Sequence, residues 1–479
     1  MKERLTRELM ALRAATELKS GQVVNLGFGI PTLVSNYVTN CMDITLHSEN
    51  GLLGFGPEPY EEPFELDLVN ASGTPVTLFP GGVAISHIDA FGIVRSGKLD
   101  VAILGAMQVS AMGDFSNWLL PSKGVGSPGG AMDIAHGAKK LIVLMEHTDK
   151  EGSPKILNNC SYPVTAWGKV SLIITDVAVI EVKDKRLILR ETAPGWSPIE
   201  VQGITEPPLV IPKDVVQMDF KRNSTVSPSK IFRNVEDALS DIFDGAVILM
   251  DCFGGLGGMS HFLMISLRDQ GARNLTLVSN TAGIARVSSF GQPPSLDLQA
   301  IDHSILIESG QVKNVVASFP VSPSPSRISA FETALSKSKV RLELVPQGTL
   351  AERLRAGAFG IGAFFTPTGV GTIIGNGKES RIIDNKEFIL EEALVGDFAF
   401  IRAYKSDTKG NLIYKGTSRN FNSVMAQAAT ITIAEVDEIV DPGELDPDEI
   451  ITPGVFVDRI VQRPIDFSPF VPINELIND

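Results

Sequence analysis

The chain of 479 residues is too long for one ordinary core, and at roughly 150 residues per domain it is expected to fold as two or three domains. Its 43% apolar and 20% charged residues exclude a disordered chain, and its formal net charge of −14 argues against nucleic acid or an anionic membrane as a main partner. Cys41, Cys160 and Cys252 lie far apart and the histidines form no HxxxH or His–Cys cluster, so neither a disulfide framework nor a metal site is expected.

At the N-terminus, ERLTRELMALRAATEL has helical periodicity. Its acidic Glu3, Glu8 and Glu17 are unlike a signal or transit peptide, and no apolar run approaches the roughly 18 residues of a membrane span. A cytoplasmic protein is expected. QVVNLGF, DITLHS, TPVTLF, DVAILG and KLIVLM then follow as predicted strands, and VEDALSDIF as a later helix. Strand–helix alternation of this kind predicts an α/β class with mainly parallel sheets covered by helices. The stretch 218–230, MDFKRNSTVSPSK, is polar, contains Pro and lacks periodicity. It reads as a linker between a first domain, 1–217, and a second, 231–479.

The two halves look like distant repeats. Gly21-Gln22-Val23-Val24, a glycine loop at Gly27–Gly29 and Thr45-Leu46-His47-Ser48-Glu49-Asn50 form one series. Gly245-Ala246-Val247-Ile248, a loop at Gly254–Gly258 and Thr276-Leu277-Val278-Ser279-Asn280-Thr281 form the other, and Arg95-Ser96-Gly97 aligns with Arg355-Ala356-Gly357. On this alignment Glu49 and Asn280 are equivalent, a carboxylate in one half and a neutral amide in the other. Chance matching of short motifs is the alternative.

Gly27-Phe28-Gly29-Ile30-Pro31-Thr32 follows a strand and precedes a helix, but the third glycine of a dinucleotide loop is missing. Such loops either bring backbone N–H groups to a ligand or simply turn the chain. Ser48-Glu49-Asn50-Gly51 ends a strand where α/β proteins place ligands, although a charged turn residue is the plainer reading. Ser127–Asp133 is suited to presenting a backbone N–H ahead of a helix, and Pro346-Gln347-Gly348-Thr349 precedes another, with capping by Thr349 as its ordinary explanation. The acidic stretch Glu435–Glu449 reads as a solvated face, and His47 as the histidine beside the candidate site.

Together these segments resemble the family I coenzyme A transferases of the 3-oxoacid type. The first half is similar to the β part through NLGFGIP (Asn25–Pro31), SENGLLGFGP (Ser48–Pro57), LGAMQVS (Leu104–Ser110), GGAMD (Gly129–Asp133) and the MEH of Met145–His147. The second is similar to the α part through Val278–Gly283, PQGTLAERLRAG (Pro346–Gly357), FILEEALVGDFAFIRA (Phe388–Ala403) and RNFN (Arg419–Asn422). The resemblance implies two related open α/β domains in β-like then α-like order, with an active site between them. It implies Glu49 as nucleophile, passing through an acyl anhydride to a glutamyl-CoA thioester in ping-pong fashion. The oxyanion donors it implies are the Gly130 N–H and the Gln347 side chain, with Asn25, Gly27, Gly29, Gly129 and Asn280 lining the coenzyme A side. Coenzyme A would be a co-substrate and not a bound cofactor, the partners acyl-CoA and a small carboxylic acid, and the assembly a homo-oligomer.

Departures from the family pattern fall at Thr281, at the loop Asp251–Met259, at Phe319–Pro325 and at Asn70-Ala71-Ser72-Gly73, where a Lys is missing. The walls facing the acids are rewritten while Glu49, Gly130 and Gln347 are kept. An acyl-CoA hydrolase on the same scaffold, or a non-catalytic coenzyme A-binding protein, are the alternatives.

Overall fold

The computed structural model describes residues 2–59, 65, 67–220, 228–251, 253, 255–287, 295, 297–323 and 326–473. They form two compact units, Met1–Pro228 and Ser229–Asp479. Of the expected linker, 221–227 lie outside the described residues, as do Cys252 and Gly254 of the loop Asp251–Met259 and positions 324 and 325 of Phe319–Pro325.

The first unit is built on one sheet. Its strands are β1 (Val23–Leu26), β2 (Thr45–Ser48), β3 (Leu52–Phe55), β4 (Leu78–Ala84), β5 (Val101–Leu104), β6 (Lys140–Leu144), β7 (Val170–Ile174), β8 (Ala178–Lys183), β9 (Arg186–Thr192), β10 (Leu209–Val210) and β11 (Val216–Gln217). They lie in the order β10-β9-β8-β7-β6-β5-β1-β2-β3-β4, with β11 also on β9. The centre, β7-β6-β5-β1-β2, is parallel, while the hairpins β2-β3-β4 and β7-β8-β9 are antiparallel. Every residue of β1 and β5 is buried, as a strand covered on both faces requires.

Two elements differ in extent from their sequence patterns. The helix expected from residue 3 begins at Arg7 because the Thr6 side chain caps it, accepting from the Leu9 N–H, and α1 runs Arg7–Ala15. The strand expected in TPVTLF lies further on, over Leu78–Ala84, and contains Pro80. It is the edge strand of the sheet, where a missing N–H breaks no ladder on the outer side.

The second unit repeats the parallel plan. Strands β12 (Ile231–Phe232), β13 (Val247–Met250), β14 (Leu275–Val278), β15 (Val312–Ala317), β16 (Arg341–Leu344), β17 (Gly396–Asp407), β18 (Ala429–Val440) and β19 (Arg459–Gln462) lie in the order β12-β19-β18-β17-β13-β14-β15-β16. All these pairings are parallel. Alternate residues enter two cores, Ile248, Leu277 and Phe400 on one face and Leu249, Val278 and Ile401 on the other.

The central pairs share a register. Val23 faces Thr45 across β1 and β2, and Val247 faces Thr276 across β13 and β14. The sequence alignment sets these same residues against one another. Among the described residues no helix is long and apolar enough to cross a membrane.

Candidate active site

Glu49 stands just past the C-terminal end of β2, where parallel sheets expose their ligand-binding edge. The turn that follows requires glycine. Gly51 has φ +114°, and a Cβ there would overlap the Ile85 carbonyl oxygen, while the Gly51 N–H donates to the Ser48 carbonyl at 3.0 Å. Ser48 and Asn50 anchor the turn to the 69–71 segment: the Ala71 N–H donates to Ser48 Oγ at 2.9 Å, and Asn50 Nδ2 to the Val69 carbonyl at 2.8 Å. The segment that departs from the family pattern by losing a Lys is thus fastened to the strand end carrying Glu49.

The Glu49 carboxylate is half-buried, and burial raises its pKa above the ordinary carboxylate range, partly countered by the charge of His87. It packs on Gly130, so closely that a Cβ at Gly130 would overlap Oε2, with the Phe91 ring at the same place. Gly130 is the N-cap of α3 (Ala131–Gly137), with φ −85° and ψ −4°. Among the described residues its N–H has no hydrogen-bond partner. Gly129 before it takes φ +48° and faces open space. Helix α2 (His87–Arg95) supplies Phe91 and packs on α3 so tightly that a Cβ at Gly137 would overlap the Val94 carbonyl oxygen.

His47, expected beside the site, is instead a buried structural residue. Its Nε2–H donates to the Ala90 carbonyl and its Nδ1 accepts from Asn25 Nδ2, each at 3.0 Å, and burial pushes its pKa down to about 4. The histidine at Glu49 is His87, whose Nδ1–H donates to the Glu49 carbonyl oxygen at 2.8 Å. No local signal in the sequence pointed to it.

Asn25 is buried within β1, and its Oδ1 has no partner among the described residues. The Gly27 N–H donates to the Ile103 carbonyl at 2.9 Å, and a Cβ there would press on Leu104, so Gly27 is required by packing. Gly29 takes φ +89° with open space around it and starts a 3-10 helix, Ile30–Tyr37, beside the exposed Phe28.

In the second unit Asn280 is fully buried, and neither amide atom of its side chain has a partner among the described residues. Its carbonyl accepts from Phe319 at 2.8 Å, which ties the rewritten 319–323 segment to the end of β14. Gln347 is the exposed first residue of α5 (Gln347–Ala358). The cap expected of Thr349 is absent: Thr349 is buried inside the helix, and Pro346 stands at the N-cap. Arg95 and Arg355 both lie eight residues beyond the first residue of a helix, His87 and Gln347.

The RNFN motif has a local reason. Asn422 is buried, and its Nδ2 donates to the Gly258 and Ser418 carbonyls at 2.9 and 2.8 Å, while its Oδ1 accepts from the Arg402 N–H. It clamps the second glycine loop to β17. The acidic stretch Glu435–Glu449 is not one solvated face. Glu435 is fully buried in β18 and accepts from the Phe262 and Leu263 N–H groups at 3.0 and 3.2 Å, at the N-terminus of α4 (His261–Gln270). Burial raises its pKa to about 7.

The model of the coenzyme A transferase family matches residues 7–202 and 232–463. A probable coenzyme A transferase beta subunit of Bacillus subtilis is 46% identical over 200 residues, 42% of this chain and 92% of that protein. Two Helicobacter pylori proteins, the two kinds of polypeptide named for succinyl-CoA:3-ketoacid coenzyme A transferase, are also similar. The larger match is 44% identical over 232 residues (48% of this chain, 91% of that protein). The other is 47% identical over 200 residues (42% of this chain, 96% of that protein). The chain joins a β-like part to an α-like part, in that order.

Proposed function

The chain belongs to the coenzyme A transferase family, and from that premise we propose that it moves coenzyme A from a succinyl-CoA or acetyl-CoA type donor to a 3-oxoacid. The substrate class is supported by the similar proteins, named for succinyl-CoA:3-ketoacid and, at 43% identity, 3-oxoadipate transfer. The mechanism is supported above all by the Glu49 carboxylate lying against Gly130, whose N–H is free of partners among the described residues.

A Glu49 oxygen attacks the acyl-CoA carbonyl carbon, and coenzyme A leaves as thiolate. The thiolate attacks the glutamyl carbonyl of the resulting anhydride, releasing the donor acid and leaving a glutamyl-CoA thioester. The acceptor carboxylate attacks that thioester, expelling the thiolate. The thiolate then attacks the acceptor's carbonyl, giving the new acyl-CoA and restoring Glu49. Each tetrahedral intermediate takes hydrogen bonds from the Gly130 N–H and from Gln347. Asn25, Gly27, Gly29, Gly129 and Asn280 serve coenzyme A binding in this reading. A homo-oligomer in the cytoplasm completes it, the free Cys41 and Cys160 thiols suiting a reducing compartment.

The test is incubation with acyl-CoA and no acceptor. The protein should release acid once per site and gain the mass of coenzyme A less one water, mapped to Glu49 and discharged by hydroxylamine. A 3-oxoacid should discharge it as a new acyl-CoA, with ping-pong kinetics. Continuous acid release without retained coenzyme A would instead mark a hydrolase, and coenzyme A binding with no release a non-catalytic protein.

A further inference from the structure

An exposed residue that touches Glu49 has no part in the proposed mechanism. His87 is the first residue of α2, after the Ser86 cap. Its ring meets Phe91 edge-on, with centroids 4.9 Å apart and planes at 63°, and its Nδ1 lies 2.8 Å from the Glu49 carbonyl oxygen. A carbonyl oxygen only accepts, so Nδ1 carries a proton in this contact.

The ring therefore holds the Glu49 main chain, while one turn along the helix Phe91 shares with the Glu49 carboxylate the space over Gly130. One helix thus fixes the backbone of the residue and the direction of its side chain. The other charged groups on α2 and α3 have partners of their own. Asp89 accepts from Ser86 Oγ at 2.7 Å, Asp133 of α3 lies 4.0 Å from Arg95, and His47 turns its ring to the Ala90 carbonyl. Among the described residues, His87 is the group whose charge acts on the Glu49 carboxylate.

We propose that His87 is a positioning residue for Glu49: its Nδ1–H fixes the strand-end carbonyl, and its edge-on packing on Phe91 keeps the adjacent carboxylate over Gly130 for attack. The inference rests on Glu49 being the nucleophile.

The experiment compares wild type, His87→Ala and His87→Gln by rapid-quench formation of the coenzyme A adduct. His87→Ala should slow adduct formation about 10- to 100-fold at saturating acyl-CoA, through misplacement of the carboxylate. His87→Gln retains a donor, and should recover most of the rate. An adduct in the wild type together with an unchanged rate in His87→Ala, or no recovery by Gln, overturns the inference alone. A wild-type protein that takes up no coenzyme A at Glu49 overturns the proposed mechanism and this inference with it.

Discussion

Glu49 and Asn280 stand just beyond equivalent strands, in units whose central strands pair in the same register, yet their surroundings are opposite. Glu49 is half-buried, set against Gly130 and Phe91, with His87 on its carbonyl. Asn280 is fully buried, and its side-chain amide is without a partner among the described residues. A carboxylate needs partial solvent access or charge-stabilising donors to remain ionised, whereas a neutral amide tolerates enclosure at lower cost. The same strand end thus accepts either residue according to what the following loops bring over it.

The strongest way to break this comparison is to remove the carboxylate proposed as the nucleophile. Glu49→Gln should reduce transfer to background and abolish the coenzyme A adduct with an unchanged circular dichroism spectrum, since the amide is nearly isosteric but not nucleophilic. Near-normal turnover in a preparation shown free of deamidation would remove Glu49 from the mechanism.

Next in size is the change at the donor proposed from the second unit. Gln347→Ala should lower kcat by about 100- to 1,000-fold if the exposed amide at the start of α5 stabilises an oxyanion. A change in KM alone would make it a uniform binding contact.

Gly130→Ala sharpens the geometric half of the comparison. The backbone angles of Gly130 suit alanine, so the fold should persist, but the added methyl would overlap Glu49 Oε2. Displacing the carboxylate should cost about 100-fold in kcat. Wild-type kcat in a folded Gly130→Ala protein would show that the close approach is not needed.

The smallest effect on adduct formation is expected from placing a carboxylate in the second unit. Asn280→Asp should create no second adduct and should destabilise that unit by about 3 kcal/mol at pH 8, where the buried group must ionise without a partner. The sign follows from burial raising the folded-state pKa: the penalty is present above that pKa and fades as pH falls through it. Urea unfolding at pH 8 and pH 5 measures it, and equal destabilisation at both values would contradict the explanation.

Much of the scaffold was legible because it is written in local patterns. Buried parallel strands need continuous apolar runs, so QVVNL, DVAILG and KLIVLM point to β1, β5 and β6, while two short aligned series point to a shared register in the two units. Where the patterns misled, a long-range packing choice intervened. Pro80 lies within a strand because that strand is at the edge of its sheet. Glu435 sits in an acidic run, yet it is the buried carboxylate at the α4 N-terminus because β18 carries it under that helix.

At the site, the chain's own motifs singled out Glu49 and Gly130, but not that they touch. His47 drew attention through its nearness in sequence to Glu49. Side chains alternate along a strand, however, and this one turns onto the Ala90 carbonyl. His87 is 38 residues from Glu49 and meets it only because β3 and β4 return the chain to the end of β2 and launch α2 there. The sequence by itself determined which residue types could do chemistry and which segments would be strands, because those follow from local composition and periodicity. Which histidine adjoins the carboxylate, and which acids are buried, was decided by tertiary structure, because contacts between distant segments depend on sheet order and helix packing that local patterns do not encode.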